Sequence, residues 1–205
     1  MKTGGGADNV TISIDDVHAS LRASAETMAK LDDRCAAAVL SAARAMTQSL
    51  QGGGTAFFCG NGGSAADAQH LAAELAGRFF IERPAMAGIA LTTNTSSLTA
   101  IGNDYGYELI FSRQLEGLGK KGDVLVAITT SGNSKNILEA IKVARKLDMI
   151  VIGMTGEKGA AFASLCDHAL ITPSDSTPRI QEGHIAMGHA LCELAERALY
   201  GSKRG

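Results

Sequence analysis

The 205-residue chain lacks any apolar run near the roughly 20 residues that span a bilayer, so no membrane helix is expected. Neither charge is in excess. With 19 basic and 21 acidic residues the net charge is −2, and no global field favours nucleic acid or an anionic membrane. Any phosphate must therefore be held locally. No CxxC pair is present: Cys35, Cys59, Cys166 and Cys192 are scattered and are expected as reduced, buried thiols. The opening MKTGGGADN lacks the apolar segment of a secretory signal, which points to a cytoplasmic protein with residues 1–12 as a flexible tail. Neither glycine cluster continues into GK[ST], which excludes a P-loop.

What is there begins with helical signals. Ser13 and Asp16 stand in capping-box positions, and Val17, Leu21, Met28 and Leu31 recur on one helical face. A second helix carries Val39, Ala43, Met46 and Leu50 on one side and ends at Gly52, Gly53 and Gly54. No strand precedes this pair, so residues 13–51 form a helical extension that buries its apolar face on the domain or on another subunit. From Thr55 the pattern becomes β-rich runs at 55–59, 87–92, 123–128, 149–154 and 168–172. Helices are expected at 64–77, 107–118, 134–147, 159–165 and 178–200. Near-continuous apolar strands alternating with helices predict an α/β three-layer sandwich on a five-stranded parallel sheet, over residues 52–205.

Two strands end in small, hydroxyl-rich loops that open helices: Cys59-Gly60-Asn61-Gly62-Gly63-Ser64 and Thr129-Thr130-Ser131-Gly132-Asn133-Ser134. Ligands bind beyond the carboxyl ends of strands in open α/β sheets. Glycines let the backbone approach an anion, and helix N-termini present free N–H groups to it. Ordinary turn and N-cap chemistry accounts for either loop alone. The first loop also fits G-x-G-x-x-A, but no acidic residue ends the following strand, where Leu91-Thr92-Thr93-Asn94 stands, so the dinucleotide fingerprint is weak.

His70 and Glu74 lie four residues apart on one helical face, where they can share a divalent metal, act as base and partner, or form a plain surface pair. The last helix carries Gln181, His184 and His189. Gln181 and His189 fall within about 80° of each other on a helical wheel, with His184 on the far side of Gln181. His18 and His168 read as structural histidines, and Asp67 as a first-turn carboxylate.

The segments GNGGSAADAQH, AAELAGRF, AIGNDYGYE, ITTSGNS and TPRIQEGHIAMGH together resemble the phosphoheptose isomerases, enzymes of the SIS-domain type with a flavodoxin-like fold. These interconvert sedoheptulose 7-phosphate and D-glycero-D-manno-heptose 7-phosphate for bacterial surface-glycan heptose. The resemblance implies substrate contacts from Asn61, Gly62, Gly63, Ser64, Asn103 and Asp104. It implies a phosphate grip from Thr129, Thr130, Ser131 and Ser134, with Thr129 standing where the family more often has Ser. It further implies one Zn²⁺ per subunit on His70, Glu74, Gln181 and His189, with Glu74 and Gln181 also touching substrate. Glu74 and His189 match the family's acid–base pair. The family is homotetrameric with sites between subunits, so Glu74 and His189 are expected to meet across a subunit boundary. A related SIS protein that binds the bacterial replication initiator shares most of these motifs and is the alternative reading. Gly102, Gly106 and Gly183 favour the isomerase.

Overall fold

The computed structural model describes residues 11–201, so most of the expected N-terminal tail lies outside the described residues. Its elements run α1 (Ile14–Ala29), α2 (Asp33–Gln51), β1 (Ala56–Cys59), α3 (Gly63–Ala76), β2 (Gly88–Ala90), α4 (Thr95–Tyr105), α5 (Ser112–Leu118) and β3 (Val124–Ile128). There follow α6 (Lys135–Lys146), β4 (Ile150–Gly156), α7 (Ala160–Ala163), β5 (His168–Thr172) and α8 (Thr177–Tyr200). The five strands are parallel in the order β2-β1-β3-β4-β5. This is the flavodoxin-like arrangement, with its switch point between β1 and β3.

The strands read as continuous apolar runs because both faces of the sheet are covered. Alternate residues of β1 show the division. Phe58 joins Met46 of α2, Leu71 and Leu75 of α3 and Leu191 of α8 on one face. Phe57 and Cys59 join Leu115 of α5, Ile137 and Ile141 of α6 and Phe162 of α7 on the other. Each fully buried side chain of this kind contributes about 1.5–3 kcal/mol. Cys59 and Cys192 lie inside these cores, and burial pushes their thiols up to about 12, which leaves them unreactive. Cys35 and Cys166 are only half-buried.

The two leading helices separate. Val39, Ala42 and Met46 put α2 into the first core, so α2 completes a layer of the sandwich beside α8. α1 keeps the expected capping box, with Ser13 and Asp16 bonding reciprocally, yet leaves Ile14 66%, Val17 51% and Leu21 64% exposed. The 107–118 helix is corrected: a 3-10 turn at Tyr107–Leu109 precedes α5. α4 was not foreseen. Its TSSLTAIGNDY sequence is rich in poor helix formers, and it buries no residue. Asn94 nevertheless starts it, its side chain accepting the Ser97 N–H at 3.0 Å.

Candidate active site

The two glycine- and hydroxyl-rich loops follow β1 and β3, neighbouring strands at the switch point of the sheet. Gly62 caps α3 and Ser134 caps α6, and neither helix has a side chain bonded to its first-turn N–H groups. Of the other helices, α1, α2 and α4 are capped by Ser13, Asp32 and Asn94, whereas α5, α7 and α8 have no side-chain cap. The first-turn N–H groups of α3 and α6 carry no side-chain cap, and such groups can receive an anion. Ser134 Oγ pairs with Thr129 Oγ1 at 3.2 Å instead of capping its helix, and Ser131 Oγ accepts the Asn133 N–H at 3.2 Å. The Thr130 carbonyl ties the loop to β4 through the Gly156 N–H. Ser64 is buried beneath the first loop.

Asn61 joins the loops. Its Nδ2 donates to Asn136 Oδ1 at 2.9 Å, and Asn136 Nδ2 donates back to Asn61 Oδ1 at 2.8 Å. Tyr107 Oη donates to the same Asn61 oxygen at 3.1 Å. Asn136 and Tyr107 were not foreseen; nothing local in the chain marks a residue that serves another loop's side chain. Asn103 and Asp104 sit on the last turn of α4, where Asn103 Nδ2 donates to Asp104 Oδ1 at 2.7 Å on an exposed surface.

The chemistry-bearing helices are α3 and α8, which pack side by side and parallel on one face of the sheet. The register is set where glycine lets the helices close. A Cβ at Gly63 would run into the Gln181 side chain, and one at Gly188 would stand 2.7 Å from Leu71 Cδ1. Around the second contact His70 Nε2 lies 2.9 Å from His189 Nε2 and 3.1 Å from Glu74 Oε1. One ligand atom from each of His70, Glu74 and His189 falls within 4.8 Å of the others. Two imidazole nitrogens and a carboxylate oxygen are a zinc donor set, and donors around a tetrahedral zinc stand about 3.3 Å apart. The three residues fit such an ion. Gln181 meets α3 at Gly63, two turns before His70.

This arrangement corrects one expectation. Glu74 and His189 do not need a second subunit to meet; α3 and α8 bring them together within one chain. The cause is that α3, the right-handed crossover from β1 to β2, and α8, which folds back after the last strand, β5, cover the same face of the sheet.

The other titratable groups sort by burial. His184 is fully buried on the opposite side of α8, and burial lowers its pKa to about 4, against a weaker opposing pull from the Thr155 backbone. His168 Nδ1 pairs with Ser41 Oγ at 3.1 Å, joining β5 to α2, in keeping with a structural role. His18 is exposed on α1 and has no such role in the core. Asp67 is not in the first turn of α3 but in the second, where burial raises its pKa against the pull of His70.

Comparison with known proteins agrees with the geometry. The SIS domain family profile matches residues 21–156. A phosphoheptose isomerase of Rhodospirillum rubrum is 55% identical over 185 residues, covering 90% of this chain and 98% of that protein. The solved structure of a phosphoheptose isomerase from Neisseria gonorrhoeae superposes with a TM-score of 0.84 at 45% identity, covering 89% of this chain and 98% of that one. One from Francisella tularensis gives 0.87 at 38% identity, covering 91% and 100%.

Proposed function

Because the chain belongs to the SIS-domain phosphoheptose isomerases, we propose that it converts sedoheptulose 7-phosphate to D-glycero-D-manno-heptose 7-phosphate, a bacterial heptose precursor. The observation that carries this is the His70–Glu74–His189 group, set on helices that start at the anion-binding end of the sheet. His70 lies about 10 Å along α3 from Gly63, at 1.5 Å per residue. An open-chain seven-carbon phosphate has that length. Its phosphate would lie on Ser131, Ser134, Thr129 and Thr130 and on the open first turns of α3 and α6. Its carbonyl end would then reach Glu74.

Aldose–ketose isomerisation moves a proton between adjacent carbons through an enediol. Glu74 takes the proton from the carbon next to the carbonyl and returns it to the former carbonyl carbon. His189 carries the oxygen proton. Asn61, held by Asn136 and Tyr107, keeps one amide hydrogen free and serves as a donor to substrate. Gly62, Gly63 and Ser64 of the first loop, Asn103 and Asp104 on the last turn of α4, and Gln181 beside Gly63 would supply the remaining substrate contacts. His70, Glu74 and His189, with Gln181, would hold Zn²⁺, which when bound supplies Lewis-acid stabilisation of the oxygens.

The exposed apolar row of α1 supports assembly into a homotetramer, with neighbouring subunits closing the sites. None of the described helices is long and apolar enough to cross a membrane, consistent with action in the cytoplasm. The test is loss of sedoheptulose 7-phosphate by the purified protein, with bound metal measured in the same preparation. Turnover that falls on chelation and returns with Zn²⁺ is expected; no turnover with metal present would overturn the proposal.

A further inference from the structure

The most buried charges in the described structure lie just past the proposed metal ligands. The side chains of Arg83 and Glu196 are 1% and 0% exposed and meet at 2.9 Å. Glu196 is on α8, two turns beyond His189 on the same face. Both its oxygens are saturated: Oε1 accepts the Phe79 N–H at 2.8 Å and Arg83 Nε, and Oε2 accepts the Phe80 and Ile81 N–H groups at 2.7 and 3.0 Å. Arg83 binds the end of α3 in turn. Its Nη2 donates to the Glu74 carbonyl at 2.9 Å, and its Nη1 to the carbonyls of Leu75, Gly77 and Pro84. The Glu74 and Leu75 carbonyls belong to the last turn of α3, which leaves them without internal partners, and a cation is favoured there. The Phe79 ring, on the segment Glu196 pins, packs against the His189 ring at 5.6 Å between centroids.

We propose that Arg83 and Glu196 are positioning residues that lock α3 to α8 in the register that makes His70, Glu74 and His189 one ligand set. A buried ion pair is a poor source of stability, because desolvation offsets its attraction and apolar residues of similar volume serve as well. What such residues could not supply is direction. Arg83 holds the backbone of Glu74, and Glu196 holds the backbone of the residue whose ring rests on His189. Small displacements of either helix would spread the ligand atoms beyond the few ångströms that one ion can bridge.

The inference rests on the metal reading of this group, and cobalt titration of metal-free protein separates the two. Parent protein should bind Co²⁺ with the visible absorption of a low-coordinate nitrogen–oxygen site; no such binding would sink the metal reading itself. Arg83→Lys and Glu196→Gln should keep the helical far-ultraviolet signal yet bind Co²⁺ about 10–100-fold more weakly, the usual effect of losing outer support for ligands. Phe162→Leu, in the core on the other face of the sheet, is the control for general destabilisation. A purely structural ion pair would leave affinity where a Phe162→Leu protein of similar melting temperature leaves it, and that result overturns the proposal. If neither clamp variant folds, Phe79→Leu reads the same link: about tenfold weaker Co²⁺ binding supports it, and parental affinity overturns it.

Discussion

At the scale of single residues, the question is how Glu74 divides its two roles. Metal ligation lowers a carboxylate's basicity, whereas proton abstraction needs it. Glu74→Gln keeps the size and one metal-capable oxygen and removes only the basic group. Turnover should fall about 10²–10⁴-fold, the usual contribution of general acid–base catalysis, with substrate still bound by the untouched loops. Deuterium from heavy water should enter the carbon next to the carbonyl with the wild type and not with the variant. A variant that loses metal and substrate together would make Glu74 chiefly a ligand. One with full activity would pass the base to another residue.

At the scale of elements, the site depends on how closely α3 and α8 approach. Leu71 is fully buried, so it cannot swing clear of a new Cβ at position 188. Gly188→Val should cost about 1–3 kcal/mol, as overpacking does in tight cores, and lower the denaturant midpoint accordingly. Gly117 of α5 is the comparison: nothing lies within 4 Å of a Cβ there, so Gly117→Ala should be neutral or stabilising by up to about 1 kcal/mol. Equal effects of the two substitutions would show that helix propensity, not packing, governs position 188. The same contact explains what was legible locally. The i, i+4 spacing of His70 and Glu74 and the common side of Gln181 and His189 follow from helical periodicity. Which helix meets which does not.

For the whole molecule, α1 is the element a monomer explains least, since its apolar residues face outward. Light scattering at micromolar concentration should give a tetramer, and a monomer would remove the shared-site proposal. Acid stability tests the interior. His184 has an ordinary pKa of 6.5 and is held at about 4, so below pH 6.5 the unfolded chain takes a proton that the folded chain refuses. Stability should thus be unaffected by this group above pH 6.5 and be lost progressively down to pH 4, by about 3 kcal/mol in all. Glu196 adds to the decline in a more acidic range. Burial pushes its carboxyl up, but the N–H groups of Phe80, Phe79 and Ile81 and the Arg83 guanidinium hold it below the usual value. Its contribution is present above the ordinary carboxylate pKa of 4.5 and fades as pH falls toward the lowered one. Urea unfolding at fixed protein concentration should show a flatter pH dependence between 6.5 and 4 for His184→Gln; an unchanged slope would assign the decline to other groups.

The amino-acid sequence by itself determined the class of fold, the strands, the two glycine- and hydroxyl-rich loops and the family. Each of these is written in local order: apolar runs bounded by glycine, hydroxyls before helices, motifs of contiguous residues. Short-range patterns also fix which side of a helix each candidate occupies, and His184 is fully buried. Tertiary structure alone decided that Glu74 and His189 meet within one chain, that Asn136 and Tyr107 hold Asn61, and that Arg83 finds Glu196. It also made a helix of Thr95–Tyr105 against its weak propensity. The reason is physical. Periodicities of 2.0 and 3.6 residues assign a face to every side chain, but the partner of that face depends on crossover handedness and on how closely two surfaces pack, which are properties of elements far apart in the chain.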